Sequence, residues 1–234
     1  MHIKRLAAGT VLFDAGQAVT SAYFPAGAVI SLVVIMPNGQ AAEAATIGCE
    51  GVVGAVNCLA SRTAVSRVTV QIPGPAFRIN INALANARAA MPALDGLLHR
   101  YTAALLAQAF QSVACNLLHP VESRLARWLL TTADRGCDGR DIVHLTQEAI
   151  ATMLGAHRVS VAQVLAALEI EGLVERGRGI VRLIDRPALE TRACACYAAV
   201  QEQYDRLLPG CDIRGAPAGT HEDAGINGPA VALA

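Results

Sequence analysis

Between residues 145 and 164 the chain reads Leu-Thr-Gln-Glu-Ala-Ile-Ala-Thr-Met-Leu-Gly-Ala-His-Arg-Val-Ser-Val-Ala-Gln-Val, and few folds accept that order. Thr146 is a good helix N-cap, and Glu148 falls in the first turn, where a negative charge suits the helix dipole. Ile150, Leu154, Val161 and Val164 fall where two helices meeting near a right angle share a core. Ala151 is small where they cross, and Gly155 stands at the turn, where a positive φ is often required. Two unrelated helices joined by a glycine would not need both small residues in this one register.

The second helix, about 157–170, is expected to bury Val161, Val164, Leu165 and Leu168. Stepping 100° per residue turns Val159, Gln163 and Ala166 outward, with Ser160 beside them and Arg158 at the N-terminal shoulder. Such a helix end suits the DNA major groove. Arg158 matches guanine, Gln163 adenine and Val159 a thymine methyl. His157 and Ser160 suit phosphates near the helix start, and Thr146 is grouped with them. From Glu169 to Ile184 two short apolar strands flank a tight basic turn, the pattern of a wing whose Arg176 and Arg178 would meet phosphates. Residues 121–192 hold ten arginines and ten acidic residues, so only the arrangement of charge favours DNA. That neutrality is the one feature favouring a sensor or scaffold that binds protein instead.

The rest of the chain divides readily. Residues 1–90 are expected to form an antiparallel β domain, with short strands from about 9 to 82 and turns at Pro37-Asn38-Gly39 and Pro73-Gly74. Over 91–119, Leu94, Leu97, Leu98, Tyr101, Leu105, Ala109, Val113 and Leu117 step by three or four, one stripe of a helix about 36 Å long. Leu94, Leu98, Tyr101, Leu105 and Val113 are the expected dimer contacts, with packing inside one chain as the alternative. Pro120 should end the helix at His119. A winged helix-turn-helix over 120–192, a C-terminal helix over 193–208 and a disordered tail over 209–234 complete an α+β chain.

Formal net charge is zero, so there is no global basic field. No apolar run is long enough to span a bilayer, and the first residues lack a signal-peptide pattern; a cytoplasmic protein with no membrane partner is expected. The seven cysteines then read as reduced thiols. Cys194-x-Cys196 alone is weak evidence for metal, since residues two apart on a helix diverge by about 200°; no metal site is assigned. Nor do the six histidines or any glycine-rich loop form an enzyme motif, so no catalytic residue is assigned.

These residues, in this order, resemble the Crp/Fnr family of bacterial regulators over roughly residues 6–192, most specifically in the helix-turn-helix and wing. Gly9, Leu12-Phe13, Gly16, Tyr23-Phe24 and Gly27 look like the opening of a cyclic-nucleotide-binding β-roll. The stretch from Asp185-Arg186-Pro187 to Cys194-Ala195-Cys196-Tyr197 looks like a less characterised branch. The resemblance implies a β-roll sensor, a dimerisation helix and a DNA-binding winged helix. It also implies a homodimer on double-stranded DNA, with RNA polymerase as a further partner of an activator. Arg158 and Gln163 match the family's base-reading positions, while Val159 replaces an acidic residue. Nucleotide-binding members place a Gly-Glu pair before an Arg-Ser/Thr-Ala segment. Here Gly48-Cys49-Glu50-Gly51 has an extra residue, and Arg62-Thr63-Ala64 sits too far from the strand at Val68. Glu50, Arg62 and Thr63 are therefore effector candidates without cyclic nucleotide as the expected ligand, and a cyclic-nucleotide-gated regulator is the alternative. The cysteine cluster that holds iron–sulfur in oxygen-sensing members has no counterpart before Cys49.

Overall fold

The computed structural model describes residues 1–136 and 141–211. Its N-terminal part is a roll of two antiparallel sheets. One sheet has the order β1-β7-β3, from β1 (His2–Leu6), β3 (Ser21–Pro25) and β7 (Gly74–Asn80). The other has the order β2-β6-β4-β5, from β2 (Val11–Phe13), β4 (Val29–Ile35), β5 (Ala41–Ile47) and β6 (Arg67–Ile72). Phe13, Val19, Ile30, Ile47, Val68 and Val70 fill the space between them. The turn read at Pro37-Asn38-Gly39 joins β4 to β5, with Gly39 at φ 85°. Strands β1 and β5 were not read from the sequence. The alanine-rich β5 has little strand propensity of its own and is held by pairing along β4, from Ile30↔Ile47 to Ile35↔Ala41.

Short helices α1 (Ala55–Leu59) and α2 (Ile81–Ala90) lead to the long α3 (Pro92–Leu118). Proline at the first helical position suits the start of α3, and Pro120 forces His119 to extended φ −107°, ψ 145° at its end. Its Leu98, Tyr101, Ala104, Leu105, Gln108, Ser112 and Cys115 are buried. Leu98, Tyr101 and Leu105, expected on a dimer face, lie instead in the core of their own chain, with Leu94 packed beside them. The β-roll and the C-terminal helix cover that side, which neither could be known to do from periodicity alone. Val113 is 67% exposed, in a second stripe with Leu106, Phe110 and Leu117.

The remaining elements are α4 (Val121–Asp134), β8 (Ile142–Val143), α5 (Gln147–Leu154), α6 (Arg158–Ile170), β9 (Val174–Gly177), β10 (Ile180–Leu183), α7 (Arg186–Arg192) and α8 (Cys196–Leu207). A second core gathers Leu125, Trp128 and Leu129 of α4, Ile150 and Leu154 of α5, Val161 and Leu165 of α6, and Val181 of the small sheet β8-β10-β9. Helix α8 returns antiparallel along α3, with Tyr204 hydrogen-bonded to Gln108 at 3.0 Å and Cys196 reached by Gln111. The class is α+β. Of the expected tail, Cys211 packs against the β-roll core, while 212–234 lie outside the described residues.

The two halves meet through buried polar groups. Glu43 of β5 accepts from Ser31 Oγ and Thr46 Oγ1, each at 2.6 Å, and from Trp128 Nε1 of α4 at 3.1 Å. Burial pushes its carboxyl pKa upward, against those three hydrogen bonds. Glu50 pairs with Arg135 at 3.1 Å, and the Arg135 guanidinium sits 4.4 Å over the Tyr204 ring. Reduced thiols are found at Cys58, Cys115, Cys194 and Cys196. Cys49 departs from that expectation, being disulfide-bonded.

Candidate nucleic-acid interface

Thr146 Oγ1 accepts from the Ala149 backbone N–H at 3.2 Å, capping α5 as its sequence suggested. The helix ends at Gly155, φ 57°, ψ 38°, where the chain enters the left-handed region. Ala156 N then donates back to Ala151 O at 2.9 Å, and Arg124 of α4 donates to the Leu154 carbonyl. These contacts close the last turn of α5 and set α6 at 111° to it. Ala151 is 4% exposed at the crossing, while Val161 and Leu165 of α6 are fully buried.

The opposite side of α6 is open. Arg158, Val159 and Gln163 are exposed, His157 stands at the N-cap position and Ser160 is half-buried. His157 makes no side-chain cap, so the first N–H groups of α6 face outward with the positive end of the helix dipole. The end of α6 thus carries two hydrogen-bonding side chains and an apolar one, at 66% exposure for Val159. Arg158 rests 3.6 Å from Glu148, both about 70% exposed at 68% and 71%. Such a surface pair holds its partners weakly, by about 0–1 kcal/mol, and releases the guanidinium readily. Gln147, which the sequence reading missed, joins Arg158, Val159 and Gln163 in lining one shallow depression; it is the residue just inside the N-cap, and that position was its only signal.

The wing is the hairpin β9–β10, turning at Arg178-Gly179 with Gly179 at φ 73°. Arg178 is exposed at the tip. Arg176, expected to meet phosphate, is engaged otherwise: its Nε donates to Glu169 Oε2 at 2.7 Å and its backbone N–H to Oε1 at 2.9 Å. That fork fastens the wing to the end of α6, because Glu169 and Arg176 face each other across the intervening turn. Arg182, on the same hairpin, pairs with Glu175 at 3.4 Å.

The effector candidates do not converge. Arg62 and Thr63 are exposed in the loop before β6, whereas the Glu50 side chain is 1% exposed against Arg135. The glycines beside Glu50 explain why the loop fits there. A Cβ at Gly48 would lie 2.2 Å from the Arg135 carbonyl, and one at Gly51 2.2 Å from the Tyr101 hydroxyl. The cavity inside the roll, between Leu32, Val53, Ala64, Val68 and Leu105, measures about 40 Å³, against the 300 Å³ or more of typical ligand sites. A larger groove of about 440 Å³ lies where the roll meets α3 and the segment after α8, lined by Phe24, Glu50, Leu94, Leu97, Leu98 and Leu208.

The chain is thus built from a β-roll, a long helix and a winged helix-turn-helix. Residues 123–192 match the family model described as a Crp-like helix-turn-helix domain. Among curated proteins no relative matches the sequence. The fold is similar to TTHB099, a CRP-family transcriptional regulator from Thermus thermophilus, with 23% identity, 81% of this chain and 96% of that one covered, and a TM-score of 0.66. It is similar also to FixK2 from Bradyrhizobium japonicum, with 17% identity, 83% and 98% covered, and a TM-score of 0.69. TTHA1359, a CRP/FNR-family regulator also from Thermus thermophilus, matches at 19% identity, 82% and 98% covered, with a TM-score of 0.65. Residues 123–192 thus carry a Crp-like helix-turn-helix domain, and the chain shares its overall fold with regulators of the CRP/FNR family. Among the described residues no single helix is long and apolar enough to cross a membrane.

Proposed function

We propose that two copies of this chain pair along α3 and read a pseudo-palindromic DNA site through α6, in the cytoplasm. The observation that carries this reading is the open end of α6. Arg158, Val159 and Gln163 project from a helix whose other side is sealed by Val161, Leu165 and Leu168. A guanidinium with paired donors, an amide that both donates and accepts, and a small apolar group at a helix N-terminus are what base edges in a major groove require. Pairing is supported by Leu106, Phe110, Val113 and Leu117, whose 4-3-4 spacing repeats every seven residues and leaves each more than half exposed. That seam is self-complementary under a two-fold axis. Two-fold pairing would set the recognition helices about 34 Å apart.

The β-roll works without cyclic nucleotide in this reading. Support comes from the 40 Å³ interior and from Glu50, whose carboxylate serves Arg135. RNA polymerase is the further partner when the protein activates. Gel shifts over rising salt, on fragments selected from random DNA, test the proposal. Affinity should fall steeply with salt as phosphate counterions are released. No binding at any salt would favour the scaffold reading, and calorimetric binding of cyclic AMP or cyclic GMP would restore the nucleotide-gated one.

A further inference from the structure

Four side chains with metal-ligand chemistry converge where the end of α3 meets the start of α8. Cys115 lies one turn before the end of α3, and His119 is its C-cap. Cys194 lies in the link after α7, and Cys196 opens α8. Their thiol sulfurs and an imidazole nitrogen all fall within 4.8 Å of one another. Cys115, Cys194 and Cys196 are at most 8% exposed. The divergence expected of Cys194 and Cys196 assumed one continuous helix. Because Cys194 precedes α8, that geometry does not apply, and both thiols turn to the same point.

We propose that Cys115, His119, Cys194 and Cys196 bind one zinc ion per chain. Tetrahedral zinc with Zn–S near 2.3 Å and Zn–N near 2.0–2.1 Å sets ligand atoms about 3.5–3.8 Å apart. Cys115 Sγ and Cys194 Sγ are 3.5 Å apart, and Cys196 Sγ and His119 Nδ1 are 3.4 Å apart, so the cluster needs only small adjustments. Three thiolates and an imidazole select a soft or borderline ion over magnesium or calcium. Four protein ligands, three buried thiols and the half-buried His119, leave no open position, the form of a structural or regulatory site and not of a hydrolytic one.

The surroundings fit an anionic thiolate centre. Gln111 Nε2 donates to Cys196 Sγ at 2.9 Å, the outer hydrogen bond that orients a ligand. The charges of Arg124 and Arg127 act on Cys115. The backbone N–H of His119 donates to the Cys115 carbonyl at 3.1 Å, which keeps this i,i+4 pair on one side of the helix end. A simple thiol pair would account for Cys115 and Cys194 but not for the approach of His119 and Cys196.

The ion joins two parts of the chain that the His119-Pro120 bend separates. It ties the end of α3 to the link between α7 and α8, and α7 is part of the winged-helix core through Leu189. Occupancy therefore fixes the angle at which α6 leaves the long helix, a consequence that rests on the DNA-binding reading above.

The test uses the full chain, reduced and stripped of metal, titrated anaerobically with cobalt(II) as the probe. One equivalent per chain should give the intense visible d–d bands of a tetrahedral site with thiolate charge-transfer absorption, and one equivalent of zinc should erase them. Cys115→Ser and Cys196→Ser should each weaken cobalt binding by at least tenfold, and Cys58→Ser, remote in the β-roll, should leave it unchanged. Fluorescence of Trp128, the single tryptophan, reports folding of each variant. Absence of the tetrahedral spectrum, or its persistence in Cys115→Ser, overturns the site; so does metal-free protein from cells carrying a Cys115–Cys194 disulfide. Equal DNA affinity of loaded and stripped protein overturns the clamp while the cobalt spectrum still stands for the site.

Discussion

Glu50 and Arg135 form an ion pair at 3.1 Å with both side chains 1% exposed, and it bridges the β-roll to the segment after α4. The Gly48–Gly51 loop therefore works here as a joint between the β-roll and the helix-turn-helix half. Glycine at 48 and 51 permits the close approach to the Arg135 carbonyl and the Tyr101 hydroxyl, and Tyr204 covers the guanidinium from the other side. Removing one partner of a buried pair leaves an uncompensated charge. Glu50→Gln should lower the unfolding free energy by about 3–5 kcal/mol. Urea denaturation followed by Trp128 fluorescence checks this, and a loss below about 1 kcal/mol would mean that water reaches Arg135.

A pH dependence follows from Asp134, which accepts from Tyr197 Oη at 2.9 Å and pairs with Arg186. Its side chain is 4% exposed. Burial raises its pKa from 3.8 to about 6, although Arg186 and Tyr197 pull the other way. The folded chain thus holds this proton more tightly than the unfolded chain does. The resulting stabilisation is fully present below about pH 4 and is lost as pH rises through about 6. Two units correspond to about 3 kcal/mol. Asp134→Asn should remove that component, so the wild-type minus variant difference in unfolding free energy should fall by roughly this amount between pH 4 and 7. Parallel stability curves would refute the assignment.

The helix-turn-helix was legible because its constraints are local. Thr146, Ala151, Gly155 and Val161 lie within sixteen residues, and each is dictated by its neighbours along the chain. The end of α3 was legible for the same reason, through Pro120. What could not be read depends on distant partners. Helix α3 carries apolar residues on two sides, and only the β-roll and α8 decide that Leu98, Tyr101 and Leu105 turn inward while Phe110 and Val113 do not. Arg176 looked like a phosphate ligand until Glu169 was seen to take its guanidinium. Cys115 and Cys194 are 79 residues apart, and nothing in their spacing announces that they touch.

Pairing along α3 makes its own prediction. Phe110 is 66% exposed in the middle of the outer stripe, between Leu106 and Val113. Phe110→Glu would set two carboxylates against one apolar seam. The dimer dissociation constant should rise roughly a hundredfold, about 3 kcal/mol. Sedimentation equilibrium measures the shift directly. Leu98→Ala, on the inner stripe, should instead lower thermal stability, by about 2–5 kcal/mol for a buried leucine, with self-association retained. If Phe110→Glu stays as associated as the wild type, the seam lies elsewhere.

Three arginines of the DNA-binding half should give three different signatures. Arg158 rests against Glu148 at 3.6 Å on an exposed face, and in the proposed reading it meets a base. Arg158→Ala should cost about 1–3 kcal/mol per half-site and relax preference at one base pair. Arg178 is exposed at the wing tip, and in the proposed reading it meets phosphate. Arg178→Ala should weaken binding to all sequences alike and reduce the slope of log affinity against log salt by about one per subunit. Arg176 holds Glu169 by two side-chain donors and its backbone N–H. Arg176→Ala should loosen the wing from α6, seen as faster hydrogen exchange in β9 and β10, while the salt slope stays as it was. Competition gel shifts across base-substituted sites separate the first two effects. An unchanged site preference in Arg158→Ala would remove this residue from base reading and leave Gln163 and Val159 to account for any specificity.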